Sequence, residues 1–263
     1  MQFKLTKKEK SWILYDVGNS AFVLMVSTIL PVYFNYLAQN AGVSDVDYLA
    51  YWGYAASIST LIVAVLGPVM GTLADTRGFK KPLFLSCILV GCAGCLLMGL
   101  TTWWISFLVI FIIAKVGFHS SLVFYDSMLS DVTTPERMDR VSSSGYAWGY
   151  AGSCIPFVVS LVFVLGYQKM GLSFETGMMI AFAVVAVWWL VMSLPLMKHY
   201  RQVHYVERKS HAMRESVGRI IETLRSVRKQ KKIFLFLIAF FFFIDGVYTI
   251  IDMATAYGSA LGL

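Results

Sequence analysis

Long apolar runs alternate with short polar stretches along this chain. Residues 48–74 contain no Asp, Glu, Lys or Arg, and neither do residues 82–114. A helix needs about 20 apolar residues to cross the roughly 30 Å hydrocarbon core of a membrane. The pattern therefore predicts several membrane-spanning helices and argues against a water-soluble domain.

Seven segments are long and apolar enough to span a membrane. A single helix through residues 82–114 would be about 50 Å long at 1.5 Å per residue, so the chain must turn near residues 101–104. We therefore predict spans at 12–37, 48–73, 82–100, 103–125, 142–166, 177–197 and 233–258.

These segments predict an all-α membrane protein in three parts. Residues 1–197 form a six-span bundle, residues 198–232 a basic linker, and residues 233–263 a seventh span. Apolar residues at helical spacing in the linker predict an amphipathic helix on an anionic membrane surface, with a solvated basic linker as the alternative. These apolar residues are Val217, Ile220, Ile221, Leu224 and Val227.

The composition of the 263 residues supports a membrane location. Apolar residues make up 58% and charged residues 14%, against about 25% charged in soluble domains, which also excludes a disordered chain. The formal charge of +7 follows from the topology. Every Lys and Arg except Lys115 and Lys169 lies in the N-terminal segment or in loops on the same side of the membrane as that segment. This bias places the N-terminus in the cytoplasm and needs no nucleic-acid partner. Short loops and the lack of a visible targeting segment favour a bacterial cell membrane.

The sequence shows no cofactor or metal site. All four cysteines lie inside apolar segments, and the CxxC formed by Cys92 and Cys95 is mid-helix with no histidine nearby. Small buried residues of this kind usually serve packing. We therefore expect neither a cofactor nor a metal ion.

Several polar residues lie where lipid would otherwise surround them. A charge at the centre of the bilayer costs about 2.5–3.5 kcal/mol on insertion scales, whereas an apolar residue contributes only about −0.3 to −0.6 kcal/mol. Such residues usually face a bundle interior or a watery cavity. We predict that the following residues bind substrate or couple proton movement to it: Asp16, Asn19, Lys115, His119, Asp245 and Asp252.

Depth in the membrane indicates possible partners among these residues. Lys115 lies twelve residues into the fourth span and Asp245 twelve into the seventh, so a Lys115–Asp245 ion pair is geometrically permitted. His119 lies one turn from Lys115 on the same helix face, at about the depth of Asp16. The alternative interpretation is that these groups only join helices to one another.

Small residues mark two helix faces. Gly67 and Gly71 form a GxxxG pattern in the second span, and Gly145, Gly149 and Gly152 line the fifth. In lipid such positions allow helix backbones to approach closely. We expect close packing at both faces, in spans that could slide or rock.

Two loop motifs resemble signatures of the major facilitator superfamily. Residues 71–81 read GTLADTRGFKK, which resembles the G-x-L-A-D-R-x-G-R-K signature between its spans two and three. Residues 135–140 read PERMDR and resemble the P-E-x-R-G-R element between its spans four and five. The resemblance implies a cytoplasmic gate in which Asp75 bonds a helix N-terminus of the opposite half, supported by Arg137 or Arg140. The implied gate residues are Gly71, Asp75, Arg77, Gly78, Lys80, Arg137 and Arg140.

A closer resemblance covers most of the chain. Residues 12–22 read WILYDVGNSAF, similar to the W-x-L-Y-D-W-A-N-S-A-F opening of the autophagy-associated vacuolar amino-acid effluxers and their bacterial relatives. Residues 124–131 read FYDSMLSD and resemble that family's F-Y-N-x-x-L-P-D, with Asp126 in place of Asn. The implied fold has twelve spans in two six-helix halves. This chain would then be a partial one, with the N-terminal six-helix bundle and the seventh transmembrane helix but without the rest of the C-terminal half.

The resemblance implies a secondary active transporter of a small solute, with amino-acid efflux as the family activity. Alternating access would occur around a midplane site, and spans one, four and seven line the cavity in that superfamily. We expect the lipid bilayer, the solute and protons as partners. The mechanistic hypothesis is that Asp245 carries a proton or pairs with Lys115, and that binding breaks the pair.

The sequence leaves three alternatives to a transporter. A seven-span receptor matches the helix count but not the inward N-terminus. A membrane enzyme would need a catalytic or metal-ligand cluster, and none appears, so we expect no enzymatic activity. A half-length chain could also be a non-transporting fragment.

Overall fold

The computed structural model describes residues 4–207 and 225–261. Eight long helices account for nearly all the secondary structure of these residues, with one 3-10 turn, Gln168–Met170, between the sixth and seventh. The helices are α1 (Lys7–Ser27), α2 (Ile29–Asn40), α3 (Asp45–Asp75), α4 (Lys80–Leu100), α5 (Trp104–Val132), α6 (Pro135–Gly166), α7 (Phe174–His199) and α8 (Lys231–Ala260).

The seven predicted spans are confirmed within the described residues. Seven stretches are long and apolar enough to cross a membrane, with α1 and α2 together forming the first. α4 ends at Leu100 and α5 begins at Trp104, so the turn predicted at residues 101–104 is confirmed. The apolar positions predicted for the linker helix lie outside the described residues, apart from Val227 in the helical stretch 225–229.

The first span is broken at Thr28, a feature that we did not predict. Thr28 leaves the helical region with φ of −132° and ψ of −65°. Pro31 has no N–H, so the carbonyl of Ser27, four residues earlier, loses its helical partner. The Thr255 hydroxyl of α8 donates to that carbonyl at 2.5 Å. Breaks in spanning helices persist where another group satisfies the freed backbone in this way.

Successive spans run in opposite directions, which gives the bundle two distinct ends. One end collects the start of α1, the α3–α4 and α5–α6 connections and the end of α7. We call it the N-terminal face, and the other end the opposite face. α8 begins at the N-terminal face and ends at the opposite face.

Aromatic side chains form much of the core between the spans. Trp12 of α1 stacks on Tyr125 of α5 with ring centroids 4.3 Å apart. Trp52 of α3 stacks on Phe111 of α5 at 4.5 Å. Such pairs contribute about 0.5–1.5 kcal/mol beyond the area they bury. They fix α1 and α3 against the two ends of α5, the helix that carries Lys115.

α8 packs on the bundle through its second half. Ala256 is fully buried, whereas Leu235 and Phe242 are 68% and 70% exposed. The structure therefore holds α8 against the bundle near the opposite face and leaves its other half uncovered.

Candidate functional site

A buried ion pair joins the six-span bundle to α8. Lys115 Nζ lies 2.6 Å from Asp252 Oδ2, and the two side chains are 5% and 20% exposed. The Phe111 ring lies 5.7 Å from the same ammonium group. Lys115 is too far from either end of α5 to reach water easily. The carboxylate of Asp252 is therefore the group that neutralises it.

The structure corrects the predicted Lys115–Asp245 pairing. Counted from the opposite face, Lys115 lies eleven residues after Trp104, and Asp252 lies eight residues before Ala260. Asp245 lies fifteen residues before Ala260, so Asp252 is nearer to the depth of Lys115 at 1.5 Å per residue. The prediction counted the depth of Lys115 from the opposite face and the depth of Asp245 from the N-terminal face. The two helices are also longer than their apolar segments, so equal counts do not mean equal depths. Asp245 is exposed on α8.

Further hydrogen bonds fix this face of α8. Trp52 Nε1 donates to the backbone carbonyl of Asp252 at 2.8 Å. Asn35 Nδ2 donates to Ser259 Oγ at 2.8 Å. Thr255, which bonds the broken first span, lies between them on the same helix face because residues three and four apart are neighbours. Spans one, two and four thus all hold the segment that carries Asp252.

His119 belongs to the Lys115 site. Its imidazole interacts electrostatically with both Lys115 and Asp252, as expected one turn along α5. Asp16 interacts with Tyr125 and Asp126 of α5, and the match in depth between His119 and Asp16 stays a prediction. Asp126 lies two helical turns nearer to the N-terminal face than His119.

Asp16 lies in a polar cluster between α1 and α6. A Cβ added to Gly145 or Gly149 would lie 3.2 Å from Asp16 Oδ2, so the carboxylate packs directly on the glycine face of α6. Asn19 Nδ2 lies 3.5 Å from Asp16 Oδ1, and Asn19 is 3% exposed. The two predicted polar residues of the first span therefore lie together.

The two glycine faces differ. Close packing at Gly145, Gly149 and Gly152 is confirmed, since an added Cβ at Gly152 would lie 2.5 Å from a methyl group of α1. Gly67 and Gly71 have no described atom within 4 Å of an added Cβ. The GxxxG face of α3 is therefore uncovered by the described residues, contrary to our expectation.

Asp126 is a functional candidate that sequence reasoning missed. It is exposed on α5 and interacts with Asp16. The hydroxyl of the neighbouring Tyr125 is buried and has no hydrogen-bond partner in the described residues. The sequence did contain a sign of this role, because Asp126 is an acidic residue at a position where the family motif has Asn. Two carboxylates with a spare hydroxyl are chemically suited to hold a cation or a proton.

At the N-terminal face, Asp131 joins three segments of the chain. Lys80 Nζ lies 3.3 Å from Asp131 Oδ2, with side chains 3% and 0% exposed. The Tyr200 hydroxyl donates to the same oxygen at 2.5 Å, and the His204 backbone N–H donates to Oδ1 at 2.8 Å. Burial, and then the adjacent carboxylate, raise the pKa of Tyr200, so the phenol remains a donor at neutral pH. Lys80, a predicted gate residue, is a buried anchor in this structure.

Arg137 pairs with Glu9. Its guanidinium makes two hydrogen bonds of 2.7 Å to the Glu9 carboxylate, and the Glu9 side chain is 2% exposed. Glu9 also closes the capping box at the start of α1, which brings this acid beside the start of α6. A buried carboxylate needs a cation, and Arg137 supplies one. Arg140 is exposed on the same helix.

The segment after α7 covers the α3–α4 connection, and we call residues 200–207 the strap. The Val206 backbone N–H donates to the carbonyl of Asp75 at 2.7 Å. Gln202 accepts a hydrogen bond from the Gly78 backbone at 3.0 Å, where Gly78 has φ of +80°, a conformation that glycine adopts without strain. The bond from Asp75 to a helix of an opposite half stays a prediction.

The described residues contain no group of three or more His, Cys, Asp or Glu arranged to hold a metal ion. Cys87, Cys92 and Cys95 are buried free thiols, and Cys154 is an exposed one. The CxxC motif thus lies within the helix packing, as its position in an apolar segment indicated.

The spans, the buried ion pairs and the loop signature define a multi-pass, all-α integral membrane protein of the major facilitator type. The family described as "Vacuole effluxer Atg22 like" matches residues 5–261, and the chain belongs to that family. The family resemblance of the opening motif is thereby confirmed.

One similar protein comes from Bacillus subtilis (strain 168) and is described as an uncharacterized MFS-type transporter, YxiO. It is 39% identical over 268 residues, a match that covers all of this chain and 63% of the relative. The chain therefore spans about two thirds of the length of this relative.

Proposed function

We propose that the protein is a secondary active transporter that moves a small solute by alternating access, with its N-terminal face in the cytoplasm. The observation that carries this proposal is the Lys115–Asp252 pair, which joins the bundle to α8 inside the membrane. An ion pair between two moving units holds one state closed and is broken in the next. Membership of an effluxer family supports this role.

The pair also provides a route for proton coupling. Protonation of Asp252 removes the charge that neutralises Lys115, so the pair opens and α8 separates from α3 and α5. Asp245 lies two turns from Asp252 on α8 and is the next carboxylate toward the N-terminal face. His119, one turn from Lys115 on α5, is a group that could exchange a proton with the pair.

The solute that we propose is an amino acid, exported across a bacterial cell membrane. An amino acid carries an ammonium group, which Asp16 and Asp126 would attract. It also carries a carboxylate, which Lys115 would attract once its pair opens, at a separate point of the path, because Lys115 and Asp126 are about 16 Å apart along α5. The basic residues of the N-terminal face support a cytoplasmic position for it. The Bacillus relative supports the location, and its description names no substrate.

Proteoliposomes with purified protein and an internal pH-sensitive dye test this proposal. Labelled amino acids should exchange across the membrane together with protons. Lys115→Met and Asp252→Asn should each slow this flux about 5–150-fold, the usual range for a coupling of about 1–3 kcal/mol. Lys169→Met removes an exposed charge from the opposite face and should leave the rate unchanged.

Two results would contradict the proposal. If vesicles with the wild-type protein move neither amino acids nor protons, the proposed transport activity is refuted. If the flux is unchanged in both ion-pair variants, the protein is a transporter but the Lys115–Asp252 pair has no role in transport.

A further inference from the structure

A basic cavity lies between the strap and the start of α4 at the N-terminal face. Its volume is about 530 Å³, within the range of small-ligand sites, about 300–1,000 Å³. Arg77, Lys81 and Arg201 line it, and its described lining contains no acidic side chain. This cluster of basic side chains is not explained by the buried ion pairs that hold the helices together.

Most of this positive charge is not neutralised by the described residues. The side chains of Lys81 and Arg201 make no ion pair with any described residue. Arg77 pairs with Glu207 at 2.8 Å, but these side chains are 61% and 68% exposed, and exposed pairs contribute little. The Arg77 guanidinium also lies 5.0 Å from the centre of the Tyr205 ring. Among the described residues, Lys81 and Arg201 therefore bring two unpaired positive charges to the lining of the cavity.

The start of α4 adds to the positive potential. Lys81 and Pro82 line the cavity from the first turn of this 21-residue helix. That turn contains no acidic residue, and no described side chain caps it. A helix N-terminus carries roughly half a positive charge and favours anions. The cavity is therefore built for an anion.

The position of the cavity indicates which anion is available. α3 ends at Asp75, α4 begins at Lys80 and α7 ends at His199, so the cavity lies where three spans leave the membrane. Lipid headgroups lie just outside the hydrocarbon core, and Arg and Lys bind phosphate there.

We propose that this cavity binds the phosphate group of an anionic phospholipid, with soluble phosphate as the other source of the same chemistry. The bound phosphate bridges Arg201 on the strap and Lys81 on α4. It thereby holds the strap against the α3–α4 connection, the segment that carries the loop signature. Lipid composition would then bias the conformation of this face.

Native mass spectrometry of the purified protein, titrated with phosphatidylglycerol, measures this binding. The variant Lys81→Gln/Arg201→Gln should lose about thirtyfold in affinity, since each basic residue next to the bound headgroup contributes about fivefold. The control Lys7→Gln/Lys10→Gln makes the same change in charge at exposed positions of the same face and should bind as the wild type does. Should the double variant unfold, Lys81→Gln alone should still lose about fivefold.

Competition identifies the source of the phosphate. If inorganic phosphate displaces phosphatidylglycerol, the site recognises the phosphate itself, and the soluble ion is a ligand. If inorganic phosphate does not compete while phosphatidylglycerol binds, the lipid is the ligand. Equal binding of phosphatidylcholine and phosphatidylglycerol, or equal affinity of the cavity variant and the control, would overturn the proposal.

Discussion

Two buried ion pairs lie on the same helix, α5, one near its middle and one at its C-terminal end. Lys115 pairs with Asp252 of α8 toward the opposite face, and Asp131 pairs with Lys80 of α4 at the N-terminal face. Loss of one partner from a buried pair leaves an unpaired charge, which usually costs about 3–5 kcal/mol. Single residues on α5 thus control how it is joined to two neighbouring helices.

The Lys115–Asp252 pair should show strong coupling in a double-mutant cycle. Lys115→Met or Asp252→Leu alone should lower the free energy of unfolding by about 3–5 kcal/mol, because each leaves a buried charge. The double variant should lose less than either single change, since no charge remains. Unfolding in detergent, followed by circular dichroism, measures the three values. Additive losses would show that the two side chains do not form a pair.

Tyr200 should make stability depend on pH in the alkaline range. Tyr200→Phe removes the phenol donor of Asp131 and should cost about 1.5–3 kcal/mol at neutral pH. The pKa of Tyr200 is raised from its ordinary value of 10.0 by burial and by Asp131. A group with a raised folded pKa gives stability that is complete below its unfolded pKa and is lost as the pH rises through the folded value.

The difference in stability between wild type and Tyr200→Phe should therefore be constant up to about pH 10 and shrink above it. Denaturant titrations at several pH values measure this difference. Tyr205→Phe, at a strap tyrosine that is 43% exposed, is the matched control and should show a small difference. A Tyr200→Phe difference that stays constant at alkaline pH would argue against the bond to Asp131.

The sequence predicted that Lys115 and Asp252 carry buried charge, but it did not predict that they pair, and Asp245, chosen by the same argument, is exposed. Lys115 and Asp252 were recognisable because a charge in an apolar run is costly. Whether the two residues pair depends on how the ends of α5 and α8 are offset along the membrane normal. The pattern of apolar residues does not determine where these helices end. The Asp131 cluster was missed because Asp131 lies at the end of a span, where a charge carries no such cost.

At the scale of the helix, packing between α1 and α6 follows from glycine spacing. An added Cβ at Gly152 would overlap Val17, whereas one at Gly67 would meet no described atom within 4 Å. The break in the first span was missed although Pro31 was visible, because proline often only kinks a spanning helix. Its partner, Thr255, comes from a distant part of the chain.

Gly152→Ala should destabilise the protein by about 1–3 kcal/mol, the usual cost of overpacking a tight contact. Gly67→Ala is the matched control in another helix, and should be neutral or stabilising by about 0.5–1 kcal/mol because alanine favours helix. Thermal unfolding in detergent compares the two. A neutral Gly152→Ala would mean that α1 and α6 pack less closely than the structure shows.

At the scale of the molecule, the distribution of basic residues predicts the orientation in the membrane. A cysteine at position 169 should react with a membrane-impermeant maleimide in intact cells, because the positive-inside rule leaves this loop outside. A cysteine at position 139, on the N-terminal face, should react only after the cells are opened. Labelling at 139 but not at 169 in intact cells would reverse the proposed topology.

Cys154 is exposed, so a variant without the native cysteines is the background for this labelling. The distribution of basic residues predicts the orientation of the protein, but it does not predict how the strap is held. Two of the strap's bonds to the α3–α4 connection join backbone groups, which have no signature in residue type, and the others use the side chains of Gln202 and Glu207.

The central claim is that the Lys115–Asp252 pair holds the opposite face closed. Electron spin resonance can measure the distance between spin labels at positions 103 and 261 on that face, and between labels at 139 and 232 on the N-terminal face. We predict that Lys115→Met lengthens the first distance and shortens the second, as the pair opens and the two ends exchange states. Both distances unchanged from the wild type would contradict the account.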